Sequence, residues 1–209
     1  MAAARAAKIA NGTALPRHPA PHTIGLQVAA QPALAAIKPG VERWPVKTGT
    51  DRDVAKVVPQ RVQTTVEHLV SLARPKDMLP LDRDFPAYQN NRAQPVETTI
   101  FTVEAEIIAC KIETDGDFHL VIQGTGETMI AEVPDPDPAF VDPKSPWVEA
   151  IKTARQQVLD KLDPQPGLKK VRVQARLTGV GFFDKIHGQA GVARTNGIEL
   201  HPLLGVTWL

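Results

Sequence analysis

The stretch that decides the fold is residues 98–112, which read TTIFTVEAEIIACKI. Apolar and polar residues alternate in it, as they do in a strand with one buried face. The first apolar series is Phe101, Val103, Ala105 and Ile107, and the second is Ile108, Cys110 and Ile112. The phase slips by one residue between the two series, which indicates a bulge or a sharp bend. A long, bent first strand of this kind is typical of a small closed β-barrel.

Four more strands and one helix are predicted after this strand. The strands cover residues 118–122, 128–133, 171–180 and 197–209, and the helix covers residues 145–162. Ser145 suits the N-cap of the helix and Pro146 its first position, and Gly179 and Gly181 predict a bend in the fourth strand. A helix between strands 3 and 4 of five is the order of the oligonucleotide/oligosaccharide-binding (OB) fold.

The predicted fold class is therefore mainly β, a five-stranded OB-type Greek-key barrel with one helix between strands 3 and 4. A five-stranded sandwich or an SH3-like barrel is the structural alternative. Neither alternative has a natural place for the long helix. The lone Cys110 lies in an apolar run, so we expect a buried small residue rather than a nucleophile, and one thiol cannot form an internal disulfide.

Two regions precede the barrel, which we assign to residues 98–209. Residues 1–40 are rich in Ala and Pro and predict a flexible or extended arm. Residues 41–97 predict a segment that docks on the barrel, with a short helix near residues 64–73 and then a loop. Thr64 or Thr65 is the expected cap of that helix. The side chains expected to anchor the segment are Trp44, Val46, Val54, Val57 and Val58.

Charge is unevenly distributed along the chain. Residues 1–80 contain eleven Lys/Arg against five Asp/Glu, whereas residues 81–209 contain thirteen against eighteen. A basic arm thus precedes an acidic domain. We expect the arm to be solvated or to wrap its own barrel or a neighbouring subunit, which would give a homo-oligomer. Binding of an external polyanion is the alternative.

No stretch approaches the roughly 18 apolar residues that a membrane span needs. The most apolar N-terminal stretch, residues 23–37, is interrupted by Gln27, Gln31 and Pro32 and does not predict a signal peptide. These observations favour a cytoplasmic protein with no membrane partner.

The strongest candidate for chemistry is the segment HGQAGVARTNGIELHP. Glu199 and His201 lie two positions apart on a predicted strand and so share one face. Together with His187 they are the catalytic candidates, because one Glu and two His residues can bind a divalent metal or do acid–base work. The ligand-binding candidates are Gln189, Arg194 and Asn196. A structural interpretation stays open, in which these polar side chains only hold a Gly-rich loop in place.

The second candidate is the segment ETDGDFHL, in which Asp115, Asp117 and His119 could bind a metal. The alternative is an ordinary turn, for which Asp-Gly-Asp is a common sequence. In OB topology the second strand does not neighbour the fifth. We therefore expect the two candidate sites to merge only if loops fold over one mouth of the barrel.

Several segments resemble a family of bacterial hypothetical proteins. They are RWPVKTGTD, PVETT, DGDFHLVI, TMIAEVPDP, SPW, GVGFFDKIHGQAGVA and GIELHP, which follow one another between Arg43 and His201. The resemblance implies a bacterial protein, but it implies no activity and no catalytic residue. The predicted barrel is also similar in fold to the thermonuclease group of OB proteins, which is an analogy of fold alone.

Three functions follow as hypotheses. The leading one is a non-enzymatic OB-fold module that binds a small ligand or a protein partner. The second is a metal-dependent, nuclease-like phosphodiester hydrolase, for which a divalent metal would be the cofactor. The third, nucleic-acid binding, is disfavoured because the outward positions of the second and third strands carry no aromatic ring and the domain is acidic. The adjacent Phe182 and Phe183 give this hypothesis only thin support, because a pair at the end of a strand is more often half in the core than exposed.

Overall fold

Six strands form the body of the structure, a computed structural model that describes residues 42–78 and 86–209. The strands are β1 (Val58–Thr64), β2 (Thr99–Ile112), β3 (Phe118–Gln123), β4 (Thr128–Val133), β5 (Lys169–Phe183) and β6 (Ile198–Trp208). The helices are α1 (Trp44–Thr48), α2 (Val66–Ser71) and α3 (Val148–Leu162). The predicted arm at residues 1–40 lies outside the described residues. No helix of the described part is long and apolar enough to cross a membrane.

Five of the strands close into a ring of hydrogen bonds. Their order is β2-β3-β4-β6-β5, and a further pairing joins β5 back to β2. Strands β4 and β6 are parallel, and the other pairs in the ring are antiparallel. A mainly β fold with one long helix is thus confirmed.

The predicted count of five strands is not confirmed, because β1 adds a sixth outside the ring, parallel to β2. Its sequence, VPQRVQT, contains a proline, and six of its seven residues are exposed. A strand with no buried face has no alternation of apolar residues, so its sequence carries no strand signal.

The bend of β2 occurs where the apolar phase slips. Both of its antiparallel pairings shift register between Ile107 and Ala109. Ile107 before the slip and Cys110 after it are fully buried, whereas Ile108 and Ile112 are half-buried. The predicted bend of β5 is also present, as register shifts between Thr178 and Gly181. A Cβ atom on Gly181 would lie 2.7 Å from the carbonyl oxygen of Val96, so this close approach requires glycine.

Helix α3 lies between β4 and β5, as predicted, and buries an apolar face that consists of Ile151, Ala154, Val158 and Leu162. Its start was predicted wrongly, because the helix begins at Val148 and Ser145 is not its N-cap. The Ser145 hydroxyl instead donates to the carbonyl oxygen of Thr48 at 2.6 Å. It also accepts a hydrogen bond from the backbone N–H of Trp147. Ser145 therefore ties the approach to the helix to the end of α1.

The segment before the barrel packs against it. The short helix predicted near residues 64–73 is α2, and the Thr65 side chain caps it by accepting from the backbone N–H of His68. Val46 is fully buried, and Val54 and Val57 pack against the core. Val58 was predicted wrongly as an anchor, since 53% of it is exposed. It lies at the start of the exposed strand β1.

Candidate metal centre

The outward face of β3 and β4 is covered, contrary to the expectation from the sequence. The loop between β5 and β6 lies over it, and a ring nitrogen of His119, Nε2, is 2.9 Å from the carbonyl oxygen of Ala190. A Cβ atom on Gly191 would lie 2.4 Å from Val121, so the loop backbone touches this face. Four of the six outward residues, His119, Val121, Ile130 and Glu132, are buried, and Gln123 and Thr128 are half-buried. Most of the outward face of β3 and β4 thus lies in the protein interior.

Glu132 joins the two sites that the sequence suggested. Strand β4 neighbours both β3 and β6, so Glu132 lies between the two histidines. Its Oε1 atom is 2.9 Å from Nδ1 of His119, and its Oε2 atom is 3.1 Å from Nδ1 of His201. The sites therefore merge across the covered face of the barrel and not over its mouth. One signal could have found Glu132, because it pairs directly with His119 across the predicted hairpin.

Asp117 and His201 face each other with two atoms that have no hydrogen-bond partner among the described residues. Asp117 is 1% exposed and His201 is fully buried. Asp117 Oδ2 and His201 Nε2 are 3.5 Å apart, and neither forms a hydrogen bond with a described residue. The other ring nitrogen of His201 lies 3.1 Å from Glu199 Oε1. If the Nδ1–H of His201 donates to Glu132 and Glu199, Nε2 presents a lone pair to Asp117. Two buried acceptors that face each other need a proton or a cation between them.

Burial and mutual contact shift the pKa values of the cluster in opposite directions. Burial raises the pKa of Asp117 to about 7. Burial, and then the charge of Asp184, raise the pKa of Glu199 well above its usual value. Burial also acts to raise the pKa of Glu132, but hydrogen bonds to the two histidines outweigh it and hold this pKa well below its usual value. Buried carboxylates with shifted pKa values beside charged partners mark this cluster as a candidate functional site.

A cavity of about 260 Å³ opens beside the cluster. Glu132 is in its wall, and Lys47 reaches it from α1. Lys47 is 9% exposed, and its ammonium lies 3.7 Å from Asp184 Oδ1. Burial acts to lower the pKa of Lys47, but Asp184 and the other carboxylates outweigh it and raise this pKa. The remaining wall residues are Glu42, Glu113, Thr114, Asp115, His187 and Gln189.

The residues proposed from the sequence fall into three groups. Asp117, His119, Glu199 and His201 form the buried cluster. His187, Gln189 and Asp115 line the cavity, and His187 is exposed there. Arg194 and Asn196 belong neither to the buried cluster nor to the cavity wall.

Arg194 is exposed and Asn196 is buried in the loop. The Asn196 amide donates to the carbonyl oxygens of Leu69 and Leu72, and its Oδ1 accepts from the backbone N–H of Ile198. These bonds match the structural interpretation of the loop, in which polar side chains hold it in place. Asp115 also has a structural contact, because its Oδ1 accepts from the backbone N–H of Asp117 at 3.3 Å.

Phe182 and Phe183 are both buried, so this pair provides no exposed ring for base stacking. The Phe182 ring lies 5.5 Å from that of His201, and the Lys47 ammonium lies 5.4 Å from the centre of the Phe182 ring. Phe182 thus separates part of α1 from the cluster. Lys47 carried no sequence signal, since it lies more than 60 positions before the nearest cluster residue.

Comparisons with known proteins add little to this geometry. No model of a known protein family and no curated protein matches the chain. Among solved structures, the chain is similar to one described as an aspartyl-tRNA synthetase from Leishmania major Friedlin, with 11% identity and a TM-score of 0.37. The match covers 72% of this chain and 21% of that chain, so this chain spans about a fifth of that protein's length. A likeness this weak identifies no function.

Proposed function

We propose that the closed ring is an OB-type barrel and that the protein is a metal-dependent phosphodiester hydrolase. The strand order β2-β3-β4-β6-β5, the parallel pair β4–β6 and the helix between β4 and β5 support the first part. In this interpretation β1 is an addition to the barrel. The relation to a bacterial family stays a prediction from the sequence segments.

The unpartnered pair Asp117 Oδ2 and His201 Nε2 carries the second part. With the Nδ1–H of His201 donated to Glu199, both atoms are buried acceptors, and ligand atoms of Asp117, Glu132 and His201 all lie within 4.8 Å of one another. Two carboxylates and an imidazole suit Mn²⁺ or Zn²⁺. Glu199 would accept the Nδ1–H of His201, which is the usual role of a carboxylate beside a metal-bound histidine. Without a cation or a shared proton between them, the burial of these groups is unfavourable.

A cation in this position would lower the pKa of a bound water and offset the charge of a phosphodiester. Glu132 connects the centre to the cavity, where His187 and Lys47 are available to a substrate. In this proposal Lys47 would supply a positive charge for the phosphate group, and His187 would transfer a proton at the exposed side. Glu132, Lys47 and His187 in one cavity wall thus support the proposed hydrolysis of a phosphodiester.

The non-enzymatic binding module is the second candidate. A groove of about 590 Å³ on the barrel supports it, with an apolar wall that includes Ile108, Val121 and Val171. Two observations rank it below the hydrolase. The Glu199 side chain bonds to His201 and not to the backbone, and His187 is exposed at the cavity. A loop that only needed polar side chains to hold its backbone would not require either arrangement.

The hydrolase is tested by measuring cation binding and cleavage together. Calorimetry with Mn²⁺, Zn²⁺, Mg²⁺ and Ca²⁺ gives the affinity of the centre, and short DNA, RNA and bis(p-nitrophenyl) phosphate serve as substrates. We expect Asp117→Asn to weaken Mn²⁺ or Zn²⁺ binding by about 10- to 100-fold and to abolish cleavage. Asp115→Asn is the matched control, since Asp115 is a neighbouring carboxylate outside the three proposed ligands, and its cation affinity should stay close to that of the wild type.

The paired variant Glu199→Ala/His201→Ala should lose both properties. Cleavage that persists in this variant, or equal cation affinity in Asp117→Asn and Asp115→Asn, would contradict the proposed centre. If no cation binds and no phosphodiester is cleaved, the binding module becomes the better description, and the apolar groove is then the surface to probe.

A further inference from the structure

Two acceptor oxygens in the cavity wall lack a hydrogen-bond donor. They are Glu42 Oε1 and Gln189 Oε1, which are both buried and form no hydrogen bond with a described residue. The amide of Gln189 is oriented by its Nε2 atom, which donates to Asp184 Oδ2 at 3.4 Å, so Oε1 is the free acceptor. Neither oxygen belongs to the metal centre described above. A buried acceptor without a donor is unfavourable, so the pair indicates a ligand with N–H or O–H groups.

The charge of the cavity wall indicates which kind of N–H or O–H group the ligand carries. Besides Glu42, the wall contains the carboxylates of Glu113, Asp115 and Asp184. Lys111 neutralises one of them, since its ammonium lies 2.7 Å from Glu113 Oε1. The excess of negative charge favours a donor group that is itself positive. A primary ammonium combines a positive charge with three N–H donors.

Lys47 adds a positive charge to the same cavity, and this charge favours an anionic group on the ligand. More than nine tenths of this residue is buried, and its ammonium lies 3.7 Å from Asp184 Oδ1, which is longer than a hydrogen bond. The distance leaves N–H donors of the ammonium available to an anionic group of a ligand. Lys47 and Glu132 share the cavity wall, so an anion bound by Lys47 would lie on the side of the proposed metal centre.

We infer that the cavity recognises a phosphate ester of a small primary amine, with the phosphate at Lys47 and the ammonium at Glu42 and Gln189. The volume of about 260 Å³ suits such a ligand better than it suits a long polymer. The assignment of the anion as a phosphate rests on the proposed function. The assignment of the amine depends only on the cavity wall and is independent of any reaction.

Three ligands of similar size test the inference by calorimetry on the full chain with saturating Mn²⁺. Phosphoethanolamine carries the primary ammonium, phosphocholine keeps the positive charge without N–H groups, and glycerol phosphate has hydroxyl groups in place of the charge. We expect phosphoethanolamine to bind about 10- to 100-fold more tightly than either of the others. Equal binding of the three ligands, or no binding of any of them, would overturn the inference.

Substitutions in the cavity wall test which residues bind the ammonium end of the ligand and which bind the phosphate end. Gln189→Leu and Glu42→Gln should reduce the preference for phosphoethanolamine over glycerol phosphate, whereas Lys47→Met should weaken all three ligands. Glu149→Gln is the control, since Glu149 is an exposed carboxylate on α3 outside the cavity. A preference that survives both Gln189→Leu and Glu42→Gln would also overturn the inference.

Circular dichroism and thermal melting show whether each variant folds. If Lys47→Met does not fold, the wild-type preference and the effect of Gln189→Leu decide the question without it. Failure of the proposed function is distinguishable, because these ligands are tested for binding and not for turnover. Selective phosphoethanolamine binding without cleavage of any phosphodiester would retain the recognition pocket and remove the hydrolase.

Discussion

Single buried charges hold the docking segment to the barrel. Glu97 is fully buried, and its carboxylate receives both terminal nitrogens of the Arg43 guanidinium at 2.7 and 2.6 Å. It also accepts from the backbone N–H groups of Phe183 and Ala93. This one side chain therefore connects α1, the start of β2 and the end of β5. A buried ion pair of this kind is costly to break, because removal of one charge leaves the other uncompensated.

We predict that Glu97→Gln destabilises the protein by about 3–5 kcal/mol, since Arg43 would keep a buried charge without its carboxylate. Urea unfolding followed by circular dichroism measures the change. Glu104→Gln is the matched control, because Glu104 pairs with Arg176 at 2.6 Å on the exposed surface. Its expected effect is below about 1 kcal/mol. Equal midpoints for the two variants would contradict a structural role of the buried pair.

At the scale of elements, a single carboxylate fastens α2 to the turn between β3 and β4. Glu67 Oε1 accepts from the backbone N–H groups of Thr125 and Gly126. A hydrogen bond from its own backbone N–H, together with those from the turn, lowers the pKa of Glu67 to about 2. A carboxyl group with a lowered pKa stabilises the folded state while it is ionised. The stabilisation is complete above its ordinary pKa of 4.5 and is lost as the pH falls through about 2.

We therefore predict that Glu67→Gln lowers Tm by about 2–4 °C at pH 7 and that the difference from the wild type disappears near pH 2. Thermal melts between pH 2 and 7 test this. Glu127→Gln is the control, since Glu127 is an exposed residue of the same turn. A difference between Glu67→Gln and the wild type that does not change with pH would show that ionisation of Glu67 has no part in fastening the helix.

At the scale of the whole molecule, the barrel depends on the residues that precede it. Arg43, Lys47 and the apolar face of α2 cover groups that would otherwise be exposed or unpaired, including the Phe182 ring and the Phe183 carbonyl oxygen. Arg92 adds a second buried pair with Asp51 at 2.7 Å. Residues 98–209 were expected from the sequence to be a separate barrel domain, and these contacts make its independence testable.

We predict that a chain of residues 98–209 unfolds at a much lower urea concentration than the full protein, or without a cooperative transition. The reason is that it would expose apolar surface and lose the buried guanidinium that contacts the end of β5. Circular dichroism and urea titration of the two chains measure the difference. An unchanged midpoint for the shorter chain would show that the preceding segment is only an appendage.

The sequence by itself determined the elements whose patterns are local. The apolar phase of β2 and its slip at Ile107, the hairpin of β3 and β4, and the buried face of α3 follow from periods of two and 3.6 residues. Neighbouring residues along the chain supply those periods, so no distant contact is needed to read them. Strand β1 was missed because its exposed side chains show no apolar alternation. The first residue of α3 was missed because Ser145 bonds to the end of α1 and does not cap the helix.

Only the tertiary structure decided the composition of the candidate site. Asp117, His119 and His201 were visible as chemistry-bearing residues, but Glu132 joins them only because β4 lies between β3 and β6. Lys47 enters the cavity from a segment more than 60 positions earlier in the sequence. The polar face lies in the protein interior because the loop between β5 and β6 covers it. This burial shifts the pKa values of its carboxylates. Such desolvation depends on what packs over a residue, which its neighbours in sequence do not specify.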